Sequence, residues 1–416
     1  MTAKPESLPG MTEYQRTGER TGERKERKDR EGSKEREGSK DREGSKDRED
    51  RKVVMIGSST IDMKTIFNNG LIQNVYILYR MFQSMGYIPI LLVQVVPENL
   101  PSYMSDLSIL TIDSYLKTAI RVHTYIEIAM SIDIIVKQFL KQNGCKIYKL
   151  YLGNILNIDI ESPLTYPGMY FVHHYIGDVD NVWVSPHYMQ HSQYSKCVNG
   201  VPIEKPSPPA PYVWDPAILT NGGTRSFQWT PPEKGSETFL LIEPNISFQK
   251  TSIVPLCILE SWYRSLVDKS AWTGKVVIVN GNRLEVLPFF TNSLAESFDL
   301  IKDGRVDFRG RMTIIEILTE FPSAIPICHQ WNNEYNYMIL EYFHCLYPVI
   351  HNASDWSSYG YYYPNSDIAA GVRTLETILT SHKDTLETFK MHAKSLMWRH
   401  SPYNPDIHMQ WNSLIN

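Results

Sequence analysis

The chain is poor in cysteine: Cys145, Cys197, Cys257, Cys328 and Cys345 are the five in 416 residues. An odd, widely spaced set with no CxxC pair excludes a disulfide framework and a paired-cysteine zinc site, and it fits reduced thiols. Also missing is any run approaching the roughly 18 apolar residues that a membrane span needs. The first residues lack the apolar core of a secretory signal. A soluble, cytoplasmic protein with no transmembrane segment is therefore expected. No GxxxxGK[ST], GxGxxG or HExxH occurs, which removes the P-loop, the dinucleotide fingerprint and the common zinc-peptidase helix. The net charge is only -4 and the basic residues of the folded part are dispersed, so no nucleic-acid partner is expected.

What is present is globular. Hydrophobic residues make up 42% and aromatics 12%, with 25 Tyr and nine Trp, a composition suited to surfaces that are apolar on one side and hydrogen-bonding on the other. Residues 30–50 read "REGSKE REGSKD REGSKD RED". This charged repeat has nothing to bury and cannot offset its ordering entropy, so residues 1–51 are expected to form a disordered tail.

Order should begin at "KVVMIGSS", a buried-strand pattern. In the following "NNGLIQNVYILYRMFQSMGY", Leu71, Val75, Leu78 and Phe82 recur at helical spacing and Gly86 acts as a stop, before a second strand in "IPILLVQVV". The pattern repeats through the helix-like "SIDIIVKQFLKQNG", the strand "CKIYKLYLG", and "NVWVSPHYMQHSQY", read as a strand entering a His-bearing loop. Six prolines between Pro202 and Pro216 then break the alternation. A second series runs from "TFLLIEPN" through "IVPLCILESWYRSLV", "KVVIVNG", a helix-like "LAESFDLI", "RVDFRG", "MTIIEILTEFP" and "AIPICHQ" to "YPVIHN", and two helical segments follow Thr374. The expected fold is α/β: two Rossmann-like domains facing a cleft, with parallel sheets and helices on both faces. The boundaries read are 52–215, a linker at 216–235, 236–385, and a helical segment at 386–416.

The stretch "NNEYNYMILEYFHCLYPVIHN", residues 332–352, sets a carboxylate, Glu341, into an apolar and aromatic helix between two strands. Ligands in open α/β sheets bind outside the carboxyl ends of strands. A Glu there, partly buried and in need of a partner, suits the paired hydroxyls of a ribose; an internal salt bridge or a helix cap is the competing reading.

The order strand, loop, helix, strand over "AIPICHQWNNEYNYMILEYFHCLYPVIHN" resembles the donor-binding half of GT-B glycosyltransferases, especially retaining ones with a Glu-x7-Glu motif. Glu341 falls at the second Glu; Asn333 replaces the first, with Glu334 beside it. The likeness runs from about Lys52 to about Leu379. "PYVWDP" and "EPNISFQKTSIVPLCILESW" resemble, more narrowly, a sparsely characterised family of glycosyltransferase-like proteins from bacteria and large DNA viruses; for a viral chain the compartment would be the host cytoplasm.

The resemblance implies a nucleotide-sugar donor held mainly by the second half, a glycan, protein or small-molecule acceptor held mainly by the first, and no cofactor beyond that donor. It also implies that Lys250 stabilises the departing diphosphate, with Asn245 on the same loop and Arg309 and Arg311 in "FRGRM" assisting. The glycine-containing loop at Gly70 would approach the donor phosphate. An exposed lysine or a surface-paired arginine is the ordinary alternative for these cations.

Histidines cluster at His173, His174, His187 and His191. Of these His187, directly after a strand, is the catalytic candidate, against the commoner case of a satisfied structural histidine. Asp178 and Asp180 have the DxD spacing of metal-dependent enzymes, but they precede a strand instead of following one, and metal-independent chemistry with no metal ligands is expected. Glu243 and Glu260 read as structural or cleft-edge acids. A non-catalytic binding protein on the same fold and a sugar-nucleotide epimerase are the competing functions.

Overall fold

The computed structural model describes residues 51–59, 61, 66–68, 70–128, 130–165 and 177–416. The charged repeat and the His173 and His174 pair lie outside the described residues. Residues 51–416 form one compact unit built on two six-stranded sheets.

The first sheet comprises β1 (Val53–Gly57), β2 (Ile88–Val93), β3 (Ile109–Thr111), β4 (Thr124–Glu127), β5 (Lys146–Tyr151) and β6 (Asn181–Val184), in the order β3-β2-β1-β4-β5-β6. The second comprises β7 (Thr238–Leu241), β8 (Lys275–Ile278), β9 (Val306–Phe308), β10 (Ile325–Ile327), β11 (Ile350–His351) and β12 (Tyr361–Tyr362), in the order β12-β11-β10-β7-β8-β9. The neighbouring strands pair in parallel. Each sheet thus reverses its order once, between β1 and β4 and between β7 and β10, and the crevice at such a switch point is where doubly wound sheets bind ligands.

Parallel strands covered on both faces need apolar side chains on both. β1 shows why its run is continuous: Val54 and Ile56 join the core under α1 (Gly70–Ser84), while Val53 and Met55 join a second core with Ile90, Tyr125 and Ile147. The spacing read for α1 holds, since Val75, Leu78 and Phe82 are all buried.

The other long helices are α2 (Ile134–Gln142), α3 (Ile155–Thr165), α4 (Ser192–Val198), α5 (Ile253–Ser265), α6 (Ile314–Glu320), α7 (Tyr337–His344), α8 (Ile368–Ser381), α9 (Leu386–Arg399) and α10 (Pro405–Ile415). The last is a third carboxyl-terminal helix beyond the two expected, capped by Asn404 with Pro405 at its first turn. It returns to the first sheet: the Trp411 ring meets Phe82 edge-on at 5.5 Å and Trp183 at 5.9 Å. The chain therefore crosses between the sheets twice, and the crossings touch. Trp214 N donates to His400 O at 2.8 Å, and His400 Nδ1 bonds the Tyr212 carbonyl at 2.9 Å.

Two local expectations change. "LAESFDLI" is not one helix but short turns, because Phe298 is extended and anchored in the core of the second sheet. The His-bearing loop after β6 is a 3-10 helix, Pro186–His191, begun by a proline at its first turn.

Candidate functional site

A cavity of about 510 Å³ opens between the two sheets, within the range of about 300–1,000 Å³ typical of small-molecule sites. Segments following β4, β5, β7, β8, β9 and β10 all contribute to its wall. It therefore lies at the carboxyl ends of both sheets. The α1 end of the first sheet supplies Gly70, Leu71, Gln73 and Asn74, and α7 supplies Tyr337, Met338 and Glu341.

Glu341 is placed by its helix. Asn336 caps α7 by accepting from Met338 N, and the helix buries Tyr337, Ile339, Leu340, Glu341, Tyr342 and Phe343. It stops where Cys345 N returns to Glu341 O and Leu346 takes a positive φ of 62°. Glu341 keeps only 2% of its surface exposed, and that opening is toward the cavity it lines. Among the described residues its carboxylate has neither a hydrogen-bond donor nor a cation, and burial pushes its pKa up to about 8.

Lys250 sits on the loop after β7. Asn245 turns the chain at a φ of 51°, Asn245 N donates to Lys250 O at 3.1 Å, and Lys250 N donates to Ser247 O at 3.2 Å. This folds Lys250 back to line the cavity. Burial pulls its ammonium down and the charge of Glu243 holds it up; Glu243 is raised by burial and held down by His329 N, Lys250 and Gln330. His329 N donates to Glu243 Oε1 at 3.1 Å, and Gln330 Nε2 donates to Oε2.

Of the other sequence candidates, Asn333, Arg311 and Gly70 also line the cavity. A Cβ on Gly70 would stand 3.4 Å from the Tyr337 ring, so the two units approach each other closely there. Asn333 is engaged on both sides of its amide, with Tyr188 Oη donating to Oδ1 and Nδ2 donating to Gln330 Oε1 at 2.7 Å.

Four candidates stand outside the wall. Asn245 Oδ1 accepts from Ser252 N at 2.8 Å, bracing the start of α5. Glu334 Oε2 accepts from Ser354 Oγ at 2.9 Å. Arg309 pairs with Asp307 at 2.8 Å and Glu320 at 3.4 Å. His187 lies one ring behind the cavity, stacked at 4.0 Å on Tyr335, which does line it. Among the described residues neither nitrogen of His187 has a hydrogen-bond partner, and burial lowers its pKa to about 3, so the ring is neutral.

The DxD pair belongs to the opposite end of the first sheet. Asp178 pairs with Lys141 at 2.7 Å, and Asp180 Oδ2 accepts from Ile147 N at 2.7 Å. Glu260 accepts from Asp299 N and Leu300 N, a structural role. Sequence reading missed Arg283, which lines the cavity from just beyond β8. A cation closely following the carboxyl end of a strand, in "KVVIVNGNR", is the signal that could have found it.

Two doubly wound units with a shared cavity at their facing carboxyl edges define the GT-B class of fold. The chain belongs to the DUF2827 family, described as a protein of unknown function, whose profile matches residues 56–415. Among solved structures, the N-terminal domain of Candida albicans trehalose-6-phosphate phosphatase shares 9% identity over 88% of this chain and 96% of its own, with a TM-score of 0.57. An alpha-glucosyltransferase in complex with UDP and a 13-mer DNA containing a HMU base shares 9% over 88% and 99%, TM-score 0.54. HepE from Anabaena, in complex with UDP and glucose, shares 11% over 88% and 100%, TM-score 0.50. At these identities the likeness is one of fold. No curated protein matches the sequence.

Proposed function

We propose that the chain is a glycosyltransferase that binds a nucleotide-sugar donor in the cavity between the sheets. The observation that carries this reading is Glu341: a carboxylate nearly removed from water, lining a cavity and left without a donor among the described residues. Such a group is costly unless a ligand supplies hydrogen bonds. The two adjacent hydroxyls of a ribose supply two donors to one carboxylate. Lys250, Arg283 and Arg311 line the same cavity and suit the diphosphate that follows the ribose. HepE and the alpha-glucosyltransferase, both with UDP, have this fold.

In the reaction the bond between the sugar's anomeric carbon and the phosphate oxygen breaks as the acceptor oxygen bonds that carbon. Negative charge grows on the diphosphate, and Lys250 stabilises it more in the transition state than before. In the retaining course the acceptor enters on the face the phosphate leaves, and a phosphate oxygen takes the acceptor's proton. Positive side chains supply the charge that a divalent ion supplies elsewhere, so turnover proceeds in EDTA.

The test is calorimetric titration of uridine, guanosine and adenosine diphosphate sugars in EDTA, followed by product analysis with donor alone and with candidate acceptors. Saturable binding to one nucleotide class, weakened by Glu341→Ala and Lys250→Ala, supports the donor site; no binding by the folded protein removes it. One observation favours a second reading, a donor-binding protein without turnover: both sides of the Asn333 amide are used within the protein, leaving that position without an acid. Binding with neither transfer nor donor hydrolysis would select it, and a changed sugar in the absence of acceptor would indicate an epimerase.

A further inference from the structure

The two sides of the cavity differ in charge. Lys250, Arg283, Arg311 and Glu341, the four charged side chains among the described residues of its lining, all belong to the second unit. The first unit faces them with Phe67, Leu71, Ile128, Leu152, Ile155 and Ile158. These six come from the connection between β1 and α1, from α1, from the residues just past β4 and β5, and from α3. The apolar character therefore belongs to the whole side and not to one helix.

Three polar side chains of that side are engaged within the protein. Tyr151 Oη accepts from Asn199 Nδ2 at 2.9 Å, Asn74 Nδ2 donates to Gly70 O at 2.9 Å, and Gln73 Nε2 donates to Ile66 O at 3.3 Å. The oxygens of the two amides suit a hydroxyl and repel an anion. A phosphate or carboxylate pressed against this side would lose water without gaining a cation from it, which is costly, whereas apolar surface placed there gains by leaving water.

The apolar lining also reaches the surface. Ile246 lines the cavity and is itself exposed, and the exposed Phe248 and Trp331 stand on the adjoining loops. Phe248 N donates to Glu161 Oε1 of α3 at 3.2 Å, and Trp331 N donates to Gln249 O at 2.9 Å, which draws these loops together at the α3 edge.

We propose that the acceptor is an uncharged alcohol whose hydroxyl is carried on an apolar body that lies against the first unit. This rests on the donor-site reading, which sets the diphosphate sugar on the charged side and leaves the apolar side to its co-substrate. The hydroxyl oxygen bonds the anomeric carbon as the bond to the diphosphate breaks, and the hydroxyl proton leaves on a phosphate oxygen. The product is the glycoside of an apolar alcohol, and the same side turns away sugar phosphates.

The test is calorimetry of the full chain saturated with UDP or GDP and titrated with 2-naphthol, 1-butanol, 1-hexanol, glucose and glucose 6-phosphate. 2-Naphthol and 1-hexanol should bind saturably, 1-hexanol about tenfold more tightly than 1-butanol for its two added methylenes, and neither sugar should saturate. Ile158→Gln should weaken 2-naphthol and 1-hexanol about fivefold or more and change UDP or GDP affinity by roughly twofold or less, because a neutral side chain replaces one that touches only the acceptor. Glucose or glucose 6-phosphate binding more tightly than 1-hexanol, no binding of either alcohol, or alcohol binding that Ile158→Gln leaves unchanged would overturn the apolar acceptor and leave the donor site standing. Failure of the unmodified chain to bind UDP or GDP would overturn the donor site and this inference with it. Should Ile158→Gln fail to fold, Leu71→Gln, in the first turn of α1, decides the question.

Discussion

Tyr337 Oη donates to the carbonyl of Val213 at 3.0 Å, tying the first residue of α7 to the segment that joins the two sheets. The helix carrying Glu341 is therefore fixed from the side of the connection as well as by its own sheet. Tyr337→Phe would leave the Val213 carbonyl unpaired. It should lower stability by about 1–3 kcal/mol in urea denaturation and weaken nucleotide binding in the same preparation.

The Glu341 carboxyl has a raised pKa of about 8 against an ordinary 4.5. The native protein therefore keeps a proton that the unfolded chain has released. The contribution to stability is complete below the ordinary value and is lost as the pH rises through about 8. Glu341→Gln should flatten that slope in thermal melts between these limits. Ribose hydroxyls donate to the ionised form, so donor affinity should rise with pH toward that value. Titration in buffers of different ionisation heat should show proton release on binding, and this release should vanish in Glu341→Gln.

Lys250 and Arg309 separate two kinds of cation. Lys250→Met should weaken a nucleoside diphosphate by about tenfold or more, the loss of a charge-assisted contact. Arg309→Met, which removes only half-exposed pairs with Asp307 and Glu320, should change affinity by roughly twofold or less. Parallel calorimetry of the two variants decides this.

The Trp411 ring, fully buried against Phe82 and Trp183, predicts a stability effect remote from the cavity. Trp411→Ala should cost about 3–5 kcal/mol, seen as a lower urea midpoint. A loss below 1 kcal/mol would mean that α10 does not hold the first unit together.

The architecture was legible because both sheets advertise themselves: apolar runs such as "KVVMIG" and "TFLLIE" are buried on both faces, and α1 buries Val75, Leu78 and Phe82 at helical spacing. Glu341 was legible as a carboxylate set into an apolar helix, and Lys250 through the resemblance; Arg283, five residues past β8, fell under neither. Spacing could not say which way a side chain turns. Arg309 and Arg311 stand two apart, yet Arg309 is engaged by Asp307 while Arg311 lines the cavity. His187 follows a strand just as its assignment required, but the ring is shielded by Tyr335. Glu243 read as a structural or cleft-edge acid because its donors, His329 N and Gln330 Nε2, come to it only in the fold.

The contact between Trp214 and His400 joins the two places where the chain passes between the sheets. A single thread would let one half swivel freely about the other. Two threads bonded side by side resist twisting that one thread would allow.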